Sequence, residues 1–200
     1  SEMLSGISHD LRTPLTRIKL QLTMIKDKNL SKKLSEDVDE MEKMLSEYLQ
    51  FASSGAKEKS GTFDLSELVE NIINKYENPN ISKNYNKKIY FNGRKNLIQR
   101  CINNLIDNSI KYGEKTNLII EKKVSNIVIS IEDDGPGIPK SEYENVIKPF
   151  YKIDKSRSES KSSVGLGLAI SSDIIKSHGG DINFSKSNLG GLKVMISLPV

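Results

Sequence analysis

The 200-residue chain is poor in the residues that build disulfide-bonded or metal-centred folds: it has one cysteine, Cys101, and two histidines. A single cysteine excludes an internal disulfide framework and favours a reducing compartment. So few thiol and imidazole ligands also argue against a zinc cluster. No apolar run reaches the roughly 18 residues of a membrane span. The opening residues, SEMLSGISHDL, resemble neither a secretory signal nor a transit peptide.

The chain also has little excess of charge of either sign. The net charge is +4, with 28% charged and 36% hydrophobic residues and a mean hydropathy of −0.45. These values are typical of a folded globular protein and not of a disordered one. The lysines form short scattered patches without clustered aromatic residues, so we expect no nucleic-acid partner.

Apolar residues recur in steps of three and four from Leu4 to Ile25 and again from Leu34 to Ala52, which predicts two helices joined by a connection at 26–33. Each helix has one narrow apolar seam. Two such seams are buried most simply when the hairpin pairs with a copy of itself as a four-helix bundle. We therefore predict a dimerising helical hairpin at 1–54. Because the helical pattern is already under way at Ser1, we also expect a preceding part of the protein.

Beyond a Gly/Ser/Lys-rich linker at 55–61, residues 62–200 have a mixed pattern. Asp64 and Glu67 resemble a capping box that opens a helix through about Tyr76. The other predicted elements are helices at 95–112 and 166–177 and strands at 89–91, 127–132 and 192–198. Intermixed helices and strands favour a two-layer α/β sandwich.

One candidate functional group lies in the predicted first helix. On an ideal helix His9 lies roughly 160° from the centre of the apolar seam, and Thr13 is its neighbour on the outer face. Pro14, inside the helix, should destabilise the helix by about 3 kcal/mol. An unfavourable proline beside an exposed His–Asp pair is typical of a functional site. The plain alternative is a solvated histidine. The functional interpretation is that His9 is a nucleophile toward a phosphoryl group, with Asp10 orienting the ring and taking the proton.

Three polar motifs follow in the second half. In NNLIDNSIKYG, Asn104 and Asn108 share a helix face, and amide oxygens can ligate Mg²⁺. In EDDGPGIP, Gly135 and Gly137 let the backbone approach a flat ligand. A polar helix face and an ordinary turn are the plain alternatives. The third motif, at 150–167, is long and basic and ends in a Gly-x-Gly at a helix start, where phosphate is favoured. In this order, the three motifs indicate a nucleotide site.

These segments carry a family resemblance. SHDLRTPLTRIKL resembles the histidine box of two-component sensor histidine kinases and is especially similar to that of the EnvZ-like osmosensor branch. NNLIDNSIKYG, DDGPGIP, KPFYKID and VGLGLAI resemble the N, G1, F and G2 boxes, in family order over nearly the whole chain. The resemblance implies a dimeric phosphotransfer hairpin followed by a Bergerat-type (GHKL) ATP-binding α/β sandwich.

For the hairpin, the resemblance implies that His9 is the phospho-acceptor, Asp10 its acid/base partner and Thr13 the residue that places water for dephosphorylation of a response regulator. The implied enzyme is an ATP-dependent protein histidine kinase that is also a phosphatase. It would act as a homodimer on a receiver domain. The implied parent is a bacterial inner-membrane protein, attached through the preceding part, with this portion in the cytoplasm.

For the second half, the resemblance implies that Asn108, supported by Asn104, holds Mg²⁺ on the phosphates of ATP. Lys111 would face the phosphates, Tyr112 would pack on the adenine and Asp133 would accept its amino group. Lys152 and Arg157 would reach the γ-phosphate from the segment at 150–167, whose length and lack of apolar pattern favour a mobile lid. The remaining implied ATP contacts are Gly135, Gly137, Val164, Gly165, Leu166, Gly167 and Leu168.

One departure from the family pattern leaves rivals open. Ser163 and Val164 precede Gly165 where the family usually has a glycine and a hydroxyl residue, so phosphate contacts there are limited to the backbone. A non-catalytic scaffold is the rival that this departure favours. A Bergerat-type ATPase working as a conformational machine is another, although it would have no use for His9 and Asp10. We expect His178 to belong to a helix C-terminus and Cys101 to face the core.

Overall fold

Two antiparallel helices open the described part of the chain. The structure, a computed structural model, describes residues 13–55, 58–85, 88–149, 151, 153 and 165–200. Helix α1 covers 13–22 and α2 covers Lys28–Gly55. Leu15, Leu22 and Val38 are buried between them. Lys19 Nζ lies 2.6 Å from carboxylate oxygens of both Asp39 and Glu42 on α2. The predicted hairpin is confirmed.

The connection between these helices is shorter than the predicted 26–33, because α2 begins at Lys28. Asp27 caps it: Asp27 Oδ1 accepts from the backbone N–H groups of Asn29 at 3.0 Å and Leu30 at 3.1 Å. A capped first turn tolerates residues that otherwise favour loops. Asn29 and Ser31 therefore lie in the helix and not before it.

The second unit is built on a mixed sheet. Its strands, numbered along the chain, are β1 Gly61–Asp64, β2 Ile81–Asn84, β3 Tyr90–Gly93, β4 Thr116–Lys122, β5 Asn126–Asp133, β6 Asp181–Lys186 and β7 Leu192–Pro199. The large sheet has the order β2-β4-β5-β7-β6, with β2 parallel to β4 and the other pairs antiparallel. Strands β1 and β3 form a separate antiparallel pair.

The helices described in this unit are α3 Leu65–Tyr76, α4 Lys95–Tyr112 and α5 Gly167–Lys176, with a 3₁₀ turn at Lys140–Glu142. Asp64 Oδ1 accepts the Glu67 N–H at 3.1 Å, so the predicted cap of α3 is formed. Alternate residues of β5 (Ile127, Ile129 and Ile131) are at most 1% exposed and join the helices in one core. The predicted two-layer α/β sandwich is confirmed.

Helices α4 and α5 lie side by side and antiparallel. Near one end of the pair, the Arg94 N–H donates to His178 Nε2 at 3.1 Å. Nearer the other end, Asn104 Nδ2 donates to the Gly167 carbonyl oxygen at 3.3 Å. The last turns of α4 are therefore brought beside the first turn of α5, where two of the sequence motifs meet.

Candidate functional site

The polar face of α4 forms the floor of the candidate site. Asn104 and Asn108 are partly buried one turn apart, as their spacing predicts. Further along, Lys111 Nζ lies 5.2 Å from the centre of the Tyr112 ring, which is 51% exposed. This part of the helix therefore offers amides, an ammonium group and an aromatic face close together.

Asp133, at the end of β5, forms the wall. Its side chain is 6% exposed, and its Oδ1 accepts N–H groups from Gly135 at 2.9 Å and Leu192 at 3.0 Å. Both bonds use Oδ1, so Oδ2 has no hydrogen-bond partner among the described residues. Burial raises the pKa of the Asp133 carboxyl, and the two N–H donors oppose that rise. One oxygen thus fixes the side chain while the other is left for a ligand.

The neighbouring acid has a different environment. Asp134 Oδ1 accepts the backbone N–H groups of Glu114 and Lys115, both at 2.8 Å. These bonds, led by the one from Lys115, lower the pKa of the Asp134 carboxyl. Asp134 therefore holds the turn that follows α4, and the sequence had not assigned it that role.

Close backbone contacts explain the glycines of the G1-like motif. A Cβ at Gly135 would lie 2.7 Å from the Tyr112 carbonyl oxygen, so only glycine lets the end of β5 meet the end of α4. Gly137 has φ +69°, which favours glycine, and a Cβ there would lie 3.3 Å from the Gly191 carbonyl oxygen. These two glycines thus shape the wall beside Asp133.

Gly191 is a site residue that the sequence analysis missed. Its N–H donates to the Asp133 carbonyl oxygen at 3.1 Å. A Cβ at Gly191 would collide with Asp133 Oδ1 and lie 2.5 Å from the Gly135 nitrogen. The available signal was the Gly190-Gly191 pair immediately before the last predicted strand.

The start of α5 closes the site over the two asparagines. A Cβ at Gly167 would lie 3.8 Å from Asn108 Nδ2 and 3.9 Å from Asn104 Cβ. Gly165 has φ +72°, Leu166 is 1% exposed and Leu168 is partly buried. The structure therefore brings the N-like and G2-like motifs into contact.

The remaining predicted residues lie on α1 or outside the described residues. Thr13 is exposed on α1. His9, Asp10, Lys152, Arg157 and Val164 lie outside the described residues. Within the described ranges, no group of three or more histidine, cysteine or acidic side chains could hold a metal ion. A divalent cation at this site would therefore be held by amide oxygens of the protein and by oxygens of a bound ligand.

His178 and Cys101, which the sequence predicts to be structural, do have structural roles. His178 follows α5, and its ring is fixed at both nitrogens: Nδ1 donates to the Ile174 carbonyl oxygen at 2.7 Å, and Nε2 accepts from Arg94. Cys101 is 0% exposed, and burial raises the pKa of its thiol to about 12. Neither residue faces the candidate site.

A buried carboxylate, an asparagine-bearing helix and a glycine-bounded α5 start define the class of Bergerat-type nucleotide-binding domains. The family model "Histidine kinase-, DNA gyrase B-, and HSP90-like ATPase" matches residues 93–200, and the model "His Kinase A (phospho-acceptor) domain" matches 1–57. The chain therefore belongs to the histidine kinase-, DNA gyrase B- and HSP90-like ATPase family, and its first 57 residues match the phospho-acceptor domain of histidine kinases.

Named relatives agree with this family. The chain is 33% identical over 200 residues to sensor histidine kinase GtrS of Pseudomonas aeruginosa, covering 99% of this chain and 41% of GtrS. Histidine kinase AdeS of Acinetobacter baumannii superposes with a TM-score of 0.63 at 25% identity, over 96% of this chain and 97% of AdeS. Full-length ShkA in complex with AMPPNP shares the fold, with a TM-score of 0.70 at 21% identity, over 99% of this chain and 45% of ShkA.

The chain spans less than half the length of the GtrS sequence. No helix in the described ranges is long and apolar enough to cross a membrane. The EnvZ-like branch named from the histidine segment stays a prediction.

Proposed function

We propose that this chain binds Mg-ATP at the described site, transfers the γ-phosphoryl group to His9, and passes it to an aspartate of a response-regulator receiver domain. The observation that carries the proposal is Asp133: a buried carboxylate fixed through one oxygen, with the other available to accept the adenine amino group. The close approach of Gly135 to the Tyr112 carbonyl oxygen brings the end of β5 against the end of α4, and the Tyr112 ring would pack on the adenine.

The phosphate chain would lie between α4 and the start of α5. Lys111 offers positive charge there, and Gly165 to Leu168 offer backbone N–H groups at a helix N-terminus. Lys152, Arg157 and the backbone of Val164 would complete these contacts from the lid. Positioning and charge neutralisation are what phosphoryl transfer chiefly requires.

The residues present fit Mg²⁺ bound through the nucleotide. Asn108 is partly buried, and its Nδ2 would lie 3.8 Å from a Cβ built at Gly167. Its amide therefore lies beside the start of α5, where its carbonyl oxygen can serve as a ligand. When bound, the cation would neutralise phosphate charge as the γ-phosphoryl group leaves ADP. In the acceptor step, a His9 ring nitrogen bonds to the γ-phosphorus, the bond to ADP breaks, and Asp10 takes the imidazole proton.

The hairpin supports a homodimer. Its apolar side chains that stay at least 39% exposed are Ile18, Leu20, Met24, Leu30, Met41 and Tyr48. Pairing with a second copy would cover such a surface in a four-helix bundle. The parent protein would reach a bacterial inner membrane through a preceding part, with this portion in the cytoplasm and no nucleic-acid partner.

The kinase proposal is tested by autophosphorylation with radiolabelled Mg-ATP on the wild type and His9→Gln. We expect a label that is acid-labile, alkali-stable and absent from His9→Gln. ATP binding without any label would reject the kinase proposal for this chain. Loss of ATP binding as well would favour the non-catalytic scaffold.

Thr13 supports a second activity, dephosphorylation of the regulator, because it is exposed at the start of α1 and follows His9 by four residues in the sequence. Thr13→Ala should retain autophosphorylation and lose phosphatase activity toward a phosphorylated receiver domain. Normal phosphatase activity in Thr13→Ala would refute this assignment.

A further inference from the structure

The two asparagines of α4 do different things in the structure, although their spacing suggests one shared role. Asn104 Nδ2 donates to the Gly167 carbonyl oxygen at 3.3 Å. A carbonyl oxygen can only accept, so this contact requires the NH₂ side of the amide to face Gly167. No hydrogen bond joins Asn108 to the same glycine in the described part of the chain, and Asn108 Nδ2 would lie 3.8 Å from a Cβ built there.

Gly167 is the point at which α5 begins, and the contacts described for residues 165–170 that secure this point are few. The residue before it, Leu166, provides no side-chain cap, and Gly165 has φ +72°. The buried Leu166 side chain and the Ile170 N–H bond to the Leu166 carbonyl oxygen at 2.9 Å hold the first turn from within α5. The Asn104 amide holds it from the neighbouring helix.

The first turn of α5 faces the Asn104 side chain. A Cβ at Gly167 would lie 3.9 Å from Asn104 Cβ and 4.0 Å from Asn104 Cγ, which is ordinary van der Waals contact and leaves room for a methyl group. The 3.3 Å hydrogen bond is therefore the contact that ties Gly167 to Asn104.

We propose that Asn104 is a positioning residue and not a ligand of the nucleotide's cation: its amide fixes the carbonyl of Gly167 and so sets the start of α5, where the phosphate chain is expected. The cation is then left to Asn108. This assignment rests on the proposed function for the role of ATP, but the contact itself exists without nucleotide. It replaces the shared metal-binding role that the family resemblance implied for the two residues.

Asn104→Asp separates the two roles, because an aspartate keeps an oxygen for a cation but has no N–H for Gly167. In the nucleotide-free 200-residue chain, we expect hydrogen exchange of the amides at 168–171 to rise about five- to tenfold in Asn104→Asp, as the loss of one hydrogen bond implies. Asn108→Asp and Asn103→Asp, the same change on the same helix, should leave it at the wild-type rate. Unchanged protection of β5 reports that each variant is folded.

Metal dependence gives the second measurement. The Mg²⁺ concentration for half-maximal binding of a fluorescent ATP analogue should shift in Asn108→Asp and stay at the wild-type value in Asn104→Asp. Wild-type exchange at 168–171 in Asn104→Asp, or a Mg²⁺ shift equal to that of Asn108→Asp, would overturn the proposal. Because the exchange experiment contains no nucleotide, a failure of the kinase proposal would be seen separately, in the wild-type autophosphorylation assay.

Discussion

The two ends of the α4–α5 pair are built for opposite purposes. At the Arg94 end, polar groups are paired within the protein: the Arg94 N–H donates to His178, and its guanidinium donates to the Ser177 carbonyl oxygen at 3.1 Å. At the site end, one oxygen of Asp133 has no hydrogen-bond partner in the part of the chain that the structure describes, and burial raises the pKa of this carboxyl. The Arg94 end, which we call the closed end, favours stability. The site end, which we call the open end, gives up stability for a group that can bind a ligand.

The open end should give the largest functional effect. Asp133→Asn would keep an oxygen for the Gly135 and Leu192 N–H groups but turn an amide N–H toward the adenine amino group. Loss of a charged hydrogen bond of about 1.5–3 kcal/mol implies roughly 10- to 100-fold weaker ATP binding. Isothermal titration calorimetry measures this loss, and Asp134→Asn is the control, expected to change affinity by less than about threefold.

The same variant should be no less stable without nucleotide. Because the pKa of folded Asp133 is raised, the native state binds more protons than the unfolded state above the unfolded pKa. The ionised carboxylate therefore opposes folding at neutral pH. We expect the thermal midpoint of nucleotide-free Asp133→Asn to equal or exceed that of the wild type. A lower midpoint would show that Asp133 serves stability as well as binding.

Gly191→Ala should damage both properties. Its methyl group would collide with Asp133 Oδ1 and with the backbone near Gly135. Overpacking of this kind costs about 1–3 kcal/mol of unfolding free energy, measurable by urea denaturation. ATP affinity should fall too, because Asp133 must move. Gly61→Ala is the matched control, since no atom lies within 4 Å of a Cβ at Gly61.

At the closed end, His178→Gln should lower stability by about 1–2 kcal/mol through loss of the bond from Arg94 and leave ATP affinity unchanged. Burial lowers the pKa of His178 below its ordinary value of 6.5. The unfolded state then binds more protons below that pH, so this contribution is complete above about pH 6.5 and is lost as pH falls. Thermal midpoints from pH 7.5 to 5 should fall less in His178→Gln than in the wild type.

The sequence predicted the local parts of this comparison well. Helix α4 was predicted at 95–112 and is observed at Lys95–Tyr112, because apolar periodicity and Gly113 mark its face and its end. Asp133 was found because paired acids and glycines end a strand. What was missed joins distant parts of the chain: Gly191 meets Asp133 through the pairing of β5 with β7, and His178 meets Arg94 between two helices. Local patterns do not encode such pairings.

The smallest expected effect concerns a residue that composition assigned to a solvated linker. Glu58 accepts the N–H groups of Asn96 at 2.7 Å and Leu97 at 3.3 Å, and thereby caps α4, whose own cap residue Arg94 makes no side-chain cap bond. A carboxylate at a helix N-terminus contributes about 0.3–1 kcal/mol, so Glu58→Gln should lower the unfolding free energy by that amount and leave ATP affinity unchanged. Since added salt screens this contribution, the deficit should shrink in 1 M NaCl, and the exposed control Glu144→Gln should show none. A deficit that salt does not reduce would mean that Glu58 acts through packing and not through its charge at the closed end.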